Sequence, residues 1–164
     1  MKQKQLLFTD GSVNPQQNIG FGAYLHVKED DVYDLALNKS IKVKRFDATS
    51  STKLELETLL WALENIKFDD EELIVFTDCQ NILGLPLRRE KFEKSNYLTK
   101  KNKKIANHEL YKKFYKITDR INCQFFKVKG HKPKNNKDNI DKFFTLVDKA
   151  SRNALRECLS DNKT

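Results

Sequence analysis

Cysteine is sparse in this chain, and what there is forms no pattern. Cys79, Cys123 and Cys158 are odd in number and widely spaced, which excludes a zinc-binding spacing and a paired disulfide framework. They read as reduced thiols, and the expected location is the cytoplasm. Long hydrophobic runs are missing as well. No stretch approaches membrane-spanning length, and Met1-Lys2-Gln3-Lys4-Gln5 leads into the first apolar residues without a signal core. Neither secretion nor a membrane partner is expected. Negative charge is short, with 23 acidic residues against 31 lysines and arginines, a formal net charge of +8 and a pI near 9.3. A surplus of that size fits a polyanionic partner, nucleic acid being the commonest, or a lysine-rich surface kept for solubility. At 164 residues the chain is long enough to bury a real core, and residues 1–164 are read as one domain.

What is present begins with an echo. Leu6-Leu7-Phe8-Thr9-Asp10 and Leu73-Ile74-Val75-Phe76-Thr77-Asp78 each have the length and β-branched or aromatic content of a buried strand. Each delivers a carboxylate where apolar residues give way to Gly11-Ser12 or Cys79-Gln80. If the two strands are parallel neighbours, both aspartates lie at the carboxyl edge of a sheet, where open α/β sheets build their sites. Carboxylates held that close repel one another, and a divalent metal ion is the usual remedy.

Between the copies, Phe21, Ala23, Leu25 and Val27 alternate as a second strand. Val32 to Leu37 together with Ile41-Lys42-Val43 predict a third, antiparallel to it. The period then lengthens. Ser50, Ser51 and Thr52 are candidate N-caps for a helix whose apolar face is Leu56, Leu59, Leu60, Leu63 and Ile66. Glu55 shares the stripe of Leu59, Ala62 and Ile66, and a carboxylate facing a core is costly unless it is paired or binds a metal. After Asp78 the pattern predicts a short helix stopped near Gly84 and Pro86, then a basic stretch from about Arg88 to Lys104. A helix around 106–121, a fifth strand at Cys123–Val128, a polar loop and a last helix follow. This order of elements indicates an α/β protein with a mixed sheet flanked by helices.

Five segments, in order, give a resemblance. Thr9-Asp10-Gly11-Ser12, Leu54-Glu55-Leu56, Thr77-Asp78-Cys79-Gln80, Val128-Lys129-Gly130-His131 and Val147-Asp148-Lys149-Ala150 resemble the motifs of type 1 ribonuclease H over nearly the whole chain. The resemblance implies a ribonuclease H-like fold, a five-stranded mixed sheet with its first three strands antiparallel. It implies an endoribonuclease that hydrolyses the RNA strand of an RNA/DNA hybrid with little sequence preference, acting without an obligate protein partner and as a monomer. Asp10, Glu55, Asp78 and Asp148 would hold two divalent ions, Mg2+ or, as a substitute, Mn2+. His131 would stand near the scissile phosphate and relay a proton. For the fourth carboxylate Asp141 is the competitor at the shorter family spacing. It lies two helical turns, about 10.5 Å, from Asp148, so both cannot occupy one ligand position. Asp148 carries the local pattern.

By the same resemblance, Gly11, Ser12, Asn14 and Gln80 would contact the hybrid, with Ser50 at a DNA phosphate. Ser51 and Thr52 stand where family members carry paired asparagines, and a hydroxyl does not reproduce an amide's simultaneous donor and acceptor. Lys100 and Lys101, within the basic stretch, would grip phosphates without reading sequence. Two other readings compete: a non-catalytic nucleic-acid-binding module of the same fold, and a related nuclease acting on DNA.

Overall fold

The computed structural model describes residues 4–30, 40–67, 72–128 and 139–161. Its elements run β1 (Lys4–Asn14), β2 (Ile19–Lys28), β3 (Lys42–Phe46), α1 (Ser51–Asn65), β4 (Glu72–Thr77), α2 (Gln80–Lys94), α3 (His108–Thr118), β5 (Cys123–Lys127) and α4 (Asn139–Asp161). The strands form one mixed sheet in the order β3-β2-β1-β4-β5. β1 pairs antiparallel with β2, and β2 with β3, while β1–β4 and β4–β5 are parallel. The expected sheet, with its first three strands antiparallel, is therefore present. Among the described residues no helix is long and apolar enough to cross a membrane.

Each face of the sheet has its own core. On one face Leu7, Leu73 and Val75 meet Leu56, Leu59 and Leu60 of α1, Ile82 and Leu85 of α2, and Phe114 of α3. On the other, Leu6, Phe8, Ala23 and Leu25 meet Phe143, Phe144 and Val147 of α4. The alternation along β1 thus separates α1 from α4, as a period of two requires. Glycine sets how closely α1 approaches. A Cβ built on Gly22 would lie 2.0 Å from Thr58 Oγ1, and one on Gly20 would lie 2.6 Å from a methyl of Leu54. Only hydrogen at these two positions lets α1 sink far enough onto β2 for Glu55 to reach the end of β1.

Two expectations change. The third strand is Lys42–Phe46, so it starts later and runs further than the apolar triplet Ile41-Lys42-Val43 predicts; residues 32–37 of that expectation lie outside the described residues. This is an edge strand whose pairing to β2, from Gly20↔Phe46 to Tyr24↔Lys42, decides its extent, and it carries exposed lysines that keep the open edge polar. The helix after Asp78 does not stop at Gly84 and Pro86 but continues to Lys94. Buried Ile82 and Leu85 fasten it to the core, and the Arg88 side chain ties down two carbonyls of the same helix. Its Nη2 donates to the Asn81 carbonyl at 2.6 Å and its Nε to the Gly84 carbonyl at 3.3 Å, whereas the carbonyl that Pro86 leaves without its i,i−4 donor is that of Ile82.

Candidate active site

Three elements converge on one end of the sheet. The parallel register sets Phe8 beside Phe76, so Asp10 and Asp78, each two residues further on, emerge side by side at the carboxyl ends of β1 and β4. The two copies of the tripeptide turn differently. Thr77 Oγ1 accepts from the Cys79 N–H at 3.1 Å, folding the chain back into α2 just past Asp78. Thr9 Oγ1 is buried without a hydrogen-bond partner among the described residues. Glu55 arrives from the core-facing stripe of α1 and takes a hydrogen bond from the Gly11 backbone. A Cβ on Gly11 would sit 3.7 Å from Glu55 Oε1 and 3.0 Å from Leu54, so the missing side chain makes this room.

Carboxylate oxygens of Asp10, Glu55 and Asp78 all lie within 4.8 Å of one another. Asp10 is buried, Glu55 half-buried and Asp78 exposed, which gives the cluster one open side. Burial first, and then the charges of Glu55, Asp78 and Asp148, push the Asp10 carboxyl up to about 10. Burial and the Asp78 charge raise Glu55 to about 8, against the pull of its hydrogen bonds to Asp10 and Gly11. Acids in this state are acids without a countercharge. Glu55 Oε2 is buried and has no hydrogen-bond partner among the described residues. An orphaned carboxylate oxygen facing two other hard oxygen donors fits a magnesium- or manganese-like cation.

Asp148 approaches from α4, on the opposite face from Glu55, and its side chain hydrogen-bonds Asp10. Arg152, one helical turn further on, holds Asp148 Oδ2 at 2.8 Å. Asp141 is buried in the first turn of α4 and is outside the convergent group of three. Ser151, one turn beyond Asp148, is fully buried and hydrogen-bonds the hydroxyl of Ser12. The sequence alone assigns Ser151 and Arg152 no role beyond the pattern around Asp148; their spacings of three and four from it on one helix face are the available signal.

The remaining described candidates are not part of this group of three. Ser50 is the N-cap residue of α1, although its side chain makes no capping bond, and exposed Ser51 and Thr52 open the helix. Gln80 is exposed at the start of α2. Asn14 Oδ1 accepts from the N–H groups of Gln16 and Gln17 at 2.9 and 3.1 Å, so this side chain closes the β1–β2 turn. Lys100 and Lys101 are exposed in the turns between α2 and α3. His131 lies outside the described residues. His26 makes a 2.5 Å contact with Gln5 at the far end of β1 from Asp10.

The sequence profile of the RNase H family matches residues 2–154. The chain belongs to the RNase H family. Ribonuclease H of Ruthia magnifica subsp. Calyptogena magnifica is 26% identical over 151 residues, spanning 90% of this chain and 98% of its own. Ribonuclease H of Chlorobium luteolum (strain DSM 273 / BCRC 81028 / 2530) is 28% identical over 143 residues, 84% and 91% of the two chains. The solution structure of the PFV RNase H domain superposes with a TM-score of 0.73 at 16% identity, covering 93% of this chain and 94% of that one. The foamy viral protease-reverse transcriptase in complex with dsDNA gives 0.61 at 10% identity, covering 92% and 94%. At such identities the two structures speak for the RNase H fold alone, while the profile carries the family. Membership identifies the chain as a nuclease of the hydrolase class.

Proposed function

We propose that this chain is an endoribonuclease that hydrolyses the RNA strand of RNA/DNA hybrids with little sequence preference. The observation that carries the reading is the convergence of Asp10, Glu55 and Asp78 from three elements, with Asp148 on Asp10, in a member of the RNase H family. Asp10, Glu55, Asp78 and Asp148 would hold two Mg2+ ions, with Mn2+ as a substitute. When bound, such ions activate water for attack on the phosphorus and stabilise the leaving oxygen.

The chain's own residues do the rest. The open side of the cluster admits the phosphodiester, and the Gly11 backbone, lacking a side chain, allows close approach of a sugar. Ser12, Asn14 and Gln80 line the hybrid path, Ser50 takes a DNA phosphate, and Ser51 and Thr52 offer hydroxyls to sugars or phosphates. Sensing the RNA strand depends on contacts with the 2′-hydroxyl across the minor groove. Lys100 and Lys101 attract phosphates from the turn beyond α2, and His131 relays a proton to the departing product. The protein works as a monomer in the cytoplasm.

Cleavage of labelled RNA/DNA hybrid, RNA/RNA and DNA/DNA duplexes in magnesium, manganese or chelator tests the reading. Hybrid-specific, metal-dependent cutting is the expected result. Binding without cutting would make the chain a non-catalytic module, and cutting of DNA/DNA would move it to a DNA-directed nuclease. Within that assay Asp148→Asn should be inactive and Asp141→Asn active; the reverse pattern transfers the fourth position to Asp141.

A further inference from the structure

We propose that Ser12 and Ser151 are positioning residues, a hydroxyl clamp that fixes Asp148 against Asp10 from outside the acidic cluster. This deepens the reading of Asp148 as a cation ligand and rests on it. Asp10 and Ser12, two apart on β1, share one face of the strand. Asp148 and Ser151, three apart on α4, share one face of the helix. Strand and helix are therefore joined by two parallel rungs, Asp10 to Asp148 and Ser12 to Ser151.

The rungs differ in chemistry. The first joins two carboxyl groups, which repel when both are ionised. The second joins neutral hydroxyls 3.0 Å apart and holds whatever the charge of the first. Ser151 Oγ also donates to the carbonyl of Asp148 at 3.0 Å. A serine has one hydroxyl proton, so Ser151 must accept from Ser12. The proton chain thus runs from β1 to the peptide unit that carries Asp148. Ser151 is fully buried, which protects the chain from exchange with water.

At this end of α4 the packing against β1 is apolar, with Phe143, Phe144 and Val147 in one cluster with Phe8 and Leu6, while Arg45 Nη1 reaches Cys158 Sγ at 3.5 Å further along the helix. Such packing is non-directional and tolerates small rotations of a helix. A hydrogen bond does not, because distance and angle both restrict it. The hydroxyl pair therefore sets the rotation of α4 at the turn where a ligand must be placed. An alanine at Ser151 would satisfy burial equally well, so burial alone does not account for the hydroxyl.

The test is a Mn2+ titration of the full chain without nucleic acid, followed by water-proton relaxation. Ser12→Ala should weaken Mn2+ binding about tenfold, the lower end of what outer groups contribute to metal affinity. Ser12→Thr, which keeps the hydroxyl on a strand that accepts β-branching, should restore it. Ser151→Ala should match Ser12→Ala, and the double variant should lose no more than either single one. A lowered thermal midpoint with unchanged Mn2+ affinity would reduce the pair to packing and overturn the clamp. Asp148→Asn is the control: if it weakens Mn2+ binding while Ser12→Ala does not, only the clamp fails. If Asp148→Asn has no effect, the reading of Asp148 as a ligand fails, and the clamp with it. Should Ser151→Ala fail to fold, half-buried Ser12 carries the test by itself.

Discussion

Asp10 is a buried acid whose neighbours are acids, and that predicament is measurable. Asp10→Asn removes a ligand oxygen's charge while keeping the shape, so hybrid cleavage should fall by about 10³-fold or more, about 4 kcal/mol of barrier. Turnover retained in magnesium would refute the assignment. The same groups set a pH dependence. Burial and mutual repulsion raise Asp10 to about 10 and Glu55 to about 8, above the ordinary carboxylate values of an unfolded chain. The folded state then binds protons that the unfolded state releases, so the contribution to stability is complete below the unfolded values and is lost as pH rises through the folded ones. In chelator, the thermal midpoint should decline from pH 5 to pH 8, less steeply in Asp10→Asn; a flat wild-type profile would contradict the burial of these charges. Glu55 was legible in the sequence because a carboxylate on a core-facing stripe is an exception that needs a reason. Ser151 was not, since serine on a helix face is ordinary until its partner across the fold is known. Between Asp148 and Asp141 spacing alone admits either and the sequence favours Asp148 only by its local pattern; the hydrogen bond of Asp148 to Asp10 is not legible there, because it spans the fold.

At the level of elements, patterns that rest on local packing were readable and those overruled by distant groups were not. The strands β1 and β4 announced themselves as apolar runs, and α1 by its period. The length of α2 did not, because Pro86 at its centre reads as a stop and the helix is held by the core beneath, through Ile82 and Leu85. Proline inside a helix forfeits a hydrogen bond and crowds the preceding turn. Pro86→Ala should therefore raise stability by about 1–3 kcal/mol, seen as a higher urea midpoint at unchanged slope. Arg88→Ala should lower it by a similar 1–3 kcal/mol or so, about the worth of a charged donor on backbone carbonyls. The two effects should add, because Arg88 bonds the Asn81 and Gly84 carbonyls and not the Ile82 carbonyl that Pro86 leaves without a donor. A smaller Arg88→Ala penalty in the Pro86→Ala background would show that Arg88 acts through the proline turn and not only through Asn81, Gly84 and its position over the Phe92 ring.

The net charge of +8 is a property of the whole molecule, but only part of it faces a polyanion freely. Of the basic residues from Arg88 to Lys104, several are already engaged. Arg89 grips Asp119 through two bonds of 2.6 and 2.8 Å and Glu93 at 2.9 Å. Arg88 is turned onto Asn81, and Lys94 pairs with Glu90 at 2.8 Å. Sequence counts these cations alike, since it does not disclose which acids stand across from them. Among the described residues, Lys100, Lys101 and Lys103 are exposed with no acidic partner, and Lys104 reaches only the Asn96 carbonyl at 3.4 Å. Each lysine that neutralises a phosphate releases counterions and adds roughly 0.9 to the slope of log affinity against log salt. Replacing Lys100, Lys101, Lys103 and Lys104 by glutamine should therefore flatten that slope for hybrid binding by as much as about 3–4, with little change in stability. Arg89→Gln should do the opposite, lowering the urea midpoint while leaving the slope nearly unchanged, because its guanidinium is occupied within the fold. If the lysine replacements leave the slope intact, the four side chains point into solvent and the phosphates are met elsewhere on the surface.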